Sequence, residues 1–427
     1  MSTVQLSPPP AVRWITDTLQ KAGHDTWAVG GAVRDILSGH YAGDWDLTTQ
    51  ARPRQIERLF KRTIPIGIEH GTVGVLARDG TLFEVTTFRK DVETDGRHAV
   101  VTFADTIEED LARRDFTINA LAWHPIEQKL LDPFGGLKDL EAGVLKTVGV
   151  PEKRFAEDYL RILRAFRFAG RFDLRIDEAS WKALCDGTEH LRGLSCERVR
   201  DELLKALGQH RIPSRTLSLY AKTGALGVLY PELDELRTAD HSVALNRWEF
   251  TLASIDELPP GNAFLRLAQF LHLLDPRKVV GILFRLRFSN AQTDETSQQA
   301  SASPLPGLDA DDEAIRRWLS SNSPGRLNAL ARLELARARA HPSLIKTPSE
   351  VVDLWRRARL IRATGVPLSI SDLAIDGNDL IRIGLRPGPN FSRILEDLLD
   401  FVLTDPTQNE RGVLQAHVEA RLSAYEE

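Results

Sequence analysis

Ala28-Val29-Gly30-Gly31-Ala32-Val33-Arg34-Asp35 and, nine residues on, Asp44-Trp45-Asp46-Leu47-Thr48-Thr49 carry the most specific information in this chain. The first is a short apolar stretch, a Gly-Gly turn and the start of an amphipathic helix. Glycine permits close backbone approach, and the free N–H groups at a helix start can hold a phosphate, with Arg34 placed to close on it. The second reads as the beginning of a strand. Residues i and i+2 of a strand share a face, so Asp44 and Asp46 project together while Trp45 points to the other side. Two like charges that close are costly unless a cation sits between them, and hard oxygen ligands suit Mg²⁺. Taken singly, the turn is an ordinary strand–turn–helix corner and the D-x-D a pair of exposed acids. Taken together, they read as a triphosphate cradle beside a metal pair, the parts that phosphoryl transfer needs.

Around these segments, residues 25 to 90 alternate in short β-branched runs. Thr72 to Arg78 and Thr81 to Arg89 read as strands, and Arg52 to Lys61 as a helix with Pro53 in its first turn. Glu84 is a candidate third carboxylate near the pair, or else a strand acid bonded to a neighbouring Arg or Thr. From about Thr106 onward the texture becomes Leu, Ala, Arg and Glu with helical periodicity nearly to the end. Ala291 to Asp312 is polar, contains Pro304 and Pro306, and is the best loop or linker candidate. No internal repeat or heptad array is visible. The expected fold class is α+β, a small mixed-sheet head followed by an all-helical remainder.

The 427 residues are enough for several domains with ordinary cores. Cys185 and Cys196 cannot form a disulfide framework, and no apolar run reaches the length of a membrane span. With no signal-like N-terminus either, a reducing, cytoplasmic setting is expected. The net charge of −5 argues against a general polyanion binder, yet 43 of the 55 basic residues are arginine. Five of them stand on one stretch. Plotted as a single helix, Glu152 to Phe172 places Phe155, Tyr159, Ile162, Phe166 and Ala169 on one stripe. Arg161, Arg164, Arg167 and Arg171 fall opposite, with Asp158 at the edge. Periodicity tells only which side is buried; a solvated basic face fits it equally well.

The turn and the D-x-D resemble the first motif of the class II tRNA nucleotidyltransferase and bacterial poly(A) polymerase family, and later segments agree in order. Arg113-Arg114-Asp115-Phe116-Thr117-Ile118-Asn119-Ala120 resembles its nucleotide-gripping motif, and Asp132 to Leu140 its hinge between head and neck. Glu157-Asp158-Tyr159-Leu160-Arg161 resembles its nucleobase-reading motif, and Glu197 to Leu203 a structural neck motif. The resemblance implies a head at 1–140, a neck at 141–210, a helical body with a degenerate His-Asp phosphohydrolase region at 211–300, and a tRNA-holding tail at 301–427. It implies Mg²⁺ on Asp44 and Asp46 in a two-metal site, and nucleotide contacts from Gly31, Arg34, Arg114, Asp115, Asn119, Asp158, Arg161, Arg164 and Arg167. The substrates it implies are CTP, ATP and the 3′ end of tRNA. Full CCA addition is the first reading, with A-only addition, poly(A) synthesis and a catalytically retired RNA-binding protein as alternatives. The length of Arg89 to Phe103 argues against CC-only addition. Where the hydrolase region would carry adjacent His and Asp, this chain has His272-Leu273 with Asp275 beyond, and His241 lacks an obvious partner, so a packing role is expected there.

Overall fold

A computed structural model describes residues 6–40, 43–94, 99–238, 246–341 and 346–421. The N-terminal part alternates helices and strands: α1 (Pro10–Lys21), β1 (Thr26–Val29), α2 (Gly31–Leu37), β2 (Asp46–Thr49), α3 (Pro53–Leu59), β3 (Thr63–Gly67), β4 (Thr72–Leu76) and β5 (Leu82–Thr87). A hairpin of β6 (Arg89–Thr94) and β7 (Ala99–Phe103) follows, then α4 (Ile107–Ala112), β8 (Ala122–His124), β9 (Lys129–Leu131) and α5 (Gly136–Glu141). Seven of the strands form one mixed sheet in the order β3-β4-β5-β2-β1-β8-β9, with β2 and β5 parallel and the other neighbours antiparallel.

The pleat of this sheet sorts its side chains onto two faces. Ala28, Leu47, Val73, Val85 and Trp123 point to one face and are sealed by Val12, Ile15 and Leu19 of α1, Val33 of α2 and Ile56 of α3. Trp27, Val29 and Ala122 point to the other, where Ile107, Leu111 and Ala120 cover them. Strands β8 and β9 correct the expectation of helix alone beyond Thr106. At three residues each they are too short to show a period, and tertiary pairing with β1 makes them strands.

The helices beyond the head pack in two compact units. The first comprises Met1–Ala206 with Arg215–Pro231, the second Leu207–Ser214 with Glu232–Glu427. In the first unit, β10 (Val144–Leu145), α6 (Pro151–Glu157), α7 (Leu160–Phe172), β11 (Arg175–Ile176), α8 (Glu178–Asp186), α9 (Cys196–Gln209), α10 (Ser214–Lys222) and α11 (Ala225–Leu229) complete the chain. Residues 215–231, grouped by the sequence with the segment after them, pack here because α7 and α10 approach through Gly170. A Cβ on Gly170 would fall 2.1 Å from Thr216 Oγ1 and 2.7 Å from Thr216 N. Tyr220 then lies 5.1 Å from Phe166, ring to ring.

In the second unit, α12 (Pro231–Thr238), α13 (Arg247–Asp256), α14 (Ala263–Leu271), α15 (Pro276–Arg285), α16 (Asn290–Ala300), α17 (Asp312–Ser321), α18 (Leu327–Ala340) and α19 (Pro348–Ala363) precede α20 (Gly377–Arg382), α21 (Asn390–Thr404) and α22 (Arg411–Glu419). Fully buried Arg266 on α14 donates to the carbonyls of Leu207 (2.7 Å), His210 (2.6 Å) and Leu258 (3.1 Å), so its charge rests on carbonyl oxygens. The polar run expected as a linker is half helix. Ser289 and Gln292 form a reciprocal cap that starts α16, and Thr296, Gln299 and Ala300 are buried. The remainder is pinned as well, by buried Leu305 and by Trp318 donating to Ser303 O at 3.1 Å. His272 ends α14; its Nδ1 lies 2.6 Å from Gln269 O and its ring 5.6 Å from Phe250. Burial, together with Arg337, pushes its pKa down to about 3. Asp275 caps α15 through Arg277 N, and His241 lies outside the described residues. No described helix is long and apolar enough to cross a membrane.

Gly170→Ala tests the α7–α10 approach. Overpacking of this kind typically costs about 1–3 kcal/mol, and the clash with backbone as well as side chain puts the expected loss at the upper end. Urea unfolding followed by circular dichroism reads it out.

Candidate active site

The acidic pair lies where β2 begins. Asp46 is its first residue, opposite Val29 of β1, and Asp44 stands two residues earlier in the unpaired lead-in. Trp45 between them is buried on the opposite face, 6.1 Å from the ring of Trp123. On the other side of β2, Leu47 pairs with Val85, which brings Glu84 alongside Asp46. Asp46 keeps one side open to solvent, yet its pKa is raised to about 6. Partial enclosure is the main cause; Glu84 and Asp44 add to it, and Arg114 opposes it. Glu84, left open by the sequence between a third carboxylate and a strand acid, is thus a near neighbour of the pair. Among the described residues no three His, Cys, Asp or Glu groups close tightly enough to enclose an ion by themselves.

The Gly-Gly turn reaches this point from β1. Gly30 has φ +71°, a left-handed conformation that glycine takes without strain. A Cβ there would lie 3.2 Å from Arg114 Nη1 and 3.8 Å from Asp46 Oδ2, so the turn, the arginine and the acid meet at one spot. Gly31 opens α2, its missing Cβ 3.7 Å from Arg34 Nη2. Arg114 is steered by Asn119 O (3.2 Å) and by Asp110 Oδ2 (3.3 Å), while its Nε has no partner.

Behind the turn lies a buried polar chain. Arg34, only 4% exposed, donates to Asp35 Oδ1 (2.9 Å from Nε) and to Asn119 Oδ1 (2.5 Å), with Phe168 and Phe172 over its guanidinium at 4.9 and 4.6 Å. Asn119 Nδ2 donates to Asp115 Oδ1 at 2.9 Å, Arg164 Nε to Asp115 Oδ2 at 2.7 Å, and Arg171 Nη2 to Asp35 Oδ2 at 3.0 Å. Burial alone would raise the pKa of Asp115. Arg164 and the Asn119 bond outweigh it and hold the carboxylate at about 2. Arg34, expected to close on a phosphate, has its guanidinium engaged within the protein, and burial lowers its pKa against the pull of Asp35.

The arginine stretch is not one helix. Asp158 is extended (φ −161°) and separates α6 from α7, accepting from Leu160 N at 3.1 Å and from Arg198 Nη2 at 2.6 Å. Arg161 instead donates to Glu157, to Arg154 O (2.9 Å) and to Arg113 O (3.3 Å). The single helix expected from Glu152 to Phe172 is therefore broken at Asp158; the side chains of Asp158 and Arg161 flank the break and hold different partners. The basic side of α7 is not a solvated face either, because Arg164 and Arg171 reach Asp115 and Asp35. Arg167 is buried against Glu202 at 2.6 Å, with Phe168 4.3 Å beneath it. Asp35, Asp110, Glu157 and Arg198 were not singled out from the sequence, although Asp35, Glu157 and Arg198 stand inside the quoted motifs. A count of buried arginines in need of counter-charges would have pointed to them.

Comparison with known proteins supplies the family. Residues 26–146 match the poly A polymerase head domain, and residues 173–237 match the probable RNA- and SrmB-binding site of polymerase A. A CCA-adding enzyme of Geobacillus kaustophilus is 33% identical over 414 residues, covering 96% of each chain. The chain belongs to the CCA-adding enzyme family. A CCA-adding enzyme of Levilactobacillus brevis is 34% identical over 95% of this chain and 96% of its own. Among solved structures, the Bacillus stearothermophilus CCA-adding enzyme in complex with CTP superposes with a TM-score of 0.76 at 30% identity, covering 99% of both chains. A Thermotoga maritima CCA-adding enzyme complexed with tRNA shares the fold at 22% identity, with a TM-score of 0.62 over 97% and 96% of the two chains.

In this CCA-adding family member the buried Asp115 charge has a pH signature. Its pKa is depressed from 3.8 to about 2, so its stabilisation is present above pH 4 and lost as pH falls toward 2. Asp115→Asn should cost about 2 kcal/mol near neutral pH, and the deficit should shrink to about a few tenths of a kcal/mol at pH 2. Urea midpoints of both proteins across that range test this.

Proposed function

We propose that this chain builds and repairs the 3′-terminal CCA of tRNA without a template, taking CMP from CTP and AMP from ATP. The tRNA 3′-hydroxyl attacks the α-phosphate, a new P–O bond forms, and the bond to pyrophosphate breaks. The meeting of the Gly30 turn, Arg114 and Asp46 at one spot carries this reading. The name and full-length similarity of the relatives give its substrates. Asp44 and Asp46 would hold Mg²⁺: both are hard oxygen donors, and the crowding that raises Asp46 to about 6 is what a cation relieves. Bound there, the metal supplies charge neutralisation to the triphosphate and acidifies the attacking hydroxyl.

The protein's own groups do the positioning. Gly30 and Gly31 let the triphosphate approach the backbone, and Arg114, whose Nη1 meets the turn beside Asp46, faces it. Arg34, Asp115, Asn119 and Arg164 form the buried brace that orients turn and arginine. Arg167 ties α7 to α9. Asp158 and Arg161 read the base: a carboxylate accepts from the exocyclic amine that C and A share, and a guanidinium donates to the ring edge. Since Arg198 and Glu157 now hold these two groups, base binding exchanges those partners for the nucleotide. We divide the chain by role as head 1–140, neck 141–210, body 211–300 and tail 301–427, with 215–231 of the body packing in the first unit and the tail holding tRNA, and assign it to the cytoplasm.

Purified protein incubated with Mg²⁺, single NTPs and tRNA ending in the discriminator base, in CC or in CCA separates the readings by product length. CCA addition extends the first two acceptors and stops, A-only addition extends only the CC acceptor, and poly(A) synthesis continues past CCA. Asp46→Ala should lower both CMP and AMP transfer at least about a hundredfold, the loss of several kcal/mol of charge stabilisation, with tRNA affinity retained. Substantial transfer by that variant would remove the metal assignment.

Arg161→Ala tests base reading. A lost bidentate contact is worth about 1–3 kcal/mol, so the preference for CTP and ATP over UTP and GTP should fall roughly 5- to 150-fold. If kcat/KM ratios among the four NTPs stay at wild-type values, Arg161 has no part in selection.

A further inference from the structure

Asp46 sits mid-sheet, and the two sides of it differ. Toward β1 and β8 the sheet face is roofed by Ile107, Leu111, Ala120 and the Arg113–Asn119 segment, which is tied to α7 and its nucleotide-facing groups. Toward β5, β4 and β3 the same face carries half-exposed aliphatic side chains among the described residues. Register puts them on the acids' face: Ile64 pairs with Gly74, Gly74 with Glu84, and Glu84 stands beside Asp46. A Cβ on Gly74 would lie 2.7 Å from Ile66 Cδ1 and 2.9 Å from Leu82 Cδ1, so both side chains lean over the glycine on the acids' side of the sheet. Ile64, Ile66 and Leu82 are 43, 42 and 44% exposed. Exposed Arg62, whose carbonyl receives Leu76 N at 3.0 Å, ends the same ladder.

We infer that this shelf of Ile64, Ile66 and Leu82 over Gly74 seats the terminal nucleoside of the acceptor strand, with Arg62 toward its phosphate. The inference rests on the proposed nucleotidyl transfer. The attacking 3′-hydroxyl must reach the Asp44–Asp46 pair, and the roofed side is occupied by the groups assigned to the incoming nucleotide. Strands are about 4.8 Å apart, so Gly74, two strands from Asp46, lies ~10 Å away, about the reach of one nucleoside whose ribose stands at the acids. Aliphatic side chains take the flat face of a base without reading its edge. That suits an acceptor whose last residue changes at every step, from discriminator base to C. Glycine at position 74 keeps the floor low, and the guanidinium of Arg62 offers charge to the backbone.

The double variant Ile64→Ser/Leu82→Ser alters exposed residues only. With ATP and tRNA ending in CC, KM for tRNA should rise about tenfold or more, while KM for ATP and the unfolding midpoint stay put; Leu82→Met should restore tRNA KM. In the wild type, tRNA whose last nucleotide is 4-thiouridine should crosslink under near-ultraviolet light to tryptic peptides 63–78 or 79–89. The shelf is overturned if tRNA KM stays within about twofold, if ATP KM rises in step, or if crosslinks fall only on other peptides. Failure of the wild type to extend any tRNA would instead overturn the proposed function.

Discussion

A buried carboxylate with three donors organises the catalytic half of this molecule. Asp115 accepts from its neighbour's amide, from Asn119 and from Arg164, and is 7% exposed. Removing any one donor leaves charge uncompensated in a poorly solvated place, and such a loss is far more costly than the net worth of the pair. Its reach extends further, because Asn119 also receives Arg34 and Arg34 binds Asp35, which receives Arg171. Through this one chain of contacts α2, the Asp115–Asn119 segment and α7 are held in register. The Gly30 turn and Arg114 stand at its two ends, next to Asp46.

A second constraint is the two-fold alternation of the sheet. Because Trp45 is drawn into the core with Trp123, Asp46, the next residue, is left on the opposite face, with Asp44 close enough to raise its pKa. Alternation in the neighbouring strand puts Glu84 on that face as well. The cost is visible in Asp46, whose proton is held up to about 6 by enclosure and by other carboxylates. This electrostatic strain arises from pleat geometry and one buried tryptophan.

Elsewhere the chain departs from simple periodicity for local reasons. Asp158 interrupts a pattern that reads as continuous helix, since its carboxylate gains Leu160 N and Arg198 once the backbone is extended. The polar stretch after Ser289 winds into α16 because a reciprocal cap satisfies its first amides and α14 and α15 supply a surface. In both places short-range hydrogen bonds and tertiary contacts outweigh composition. His272 illustrates the converse. Its neighbours read as a packing helix, and its ring is spent on Gln269 O and Phe250.

Sequence alone determined the mixed-sheet head, the helical remainder, the D-x-D and the glycine turn. Each of these depends on local rules, namely alternation, turn chemistry and the spacing of like charges. It also named the residues that the structure brings together around Gly30 and Asp115, because they travel in short contiguous motifs. What it could not give were the pairings: Arg164 with Asp115, Arg34 with Asn119, Arg167 with Glu202, Arg198 with Asp158. Those link residues 35 to 85 positions apart, and periodicity within one helix says which side an arginine is on but not which carboxylate waits there. Strands β8 and β9 are too short for a period to register, and the break at Asp158 is set by a partner forty residues away. Only the folded chain, where each buried charge must find its counter-charge, decides these.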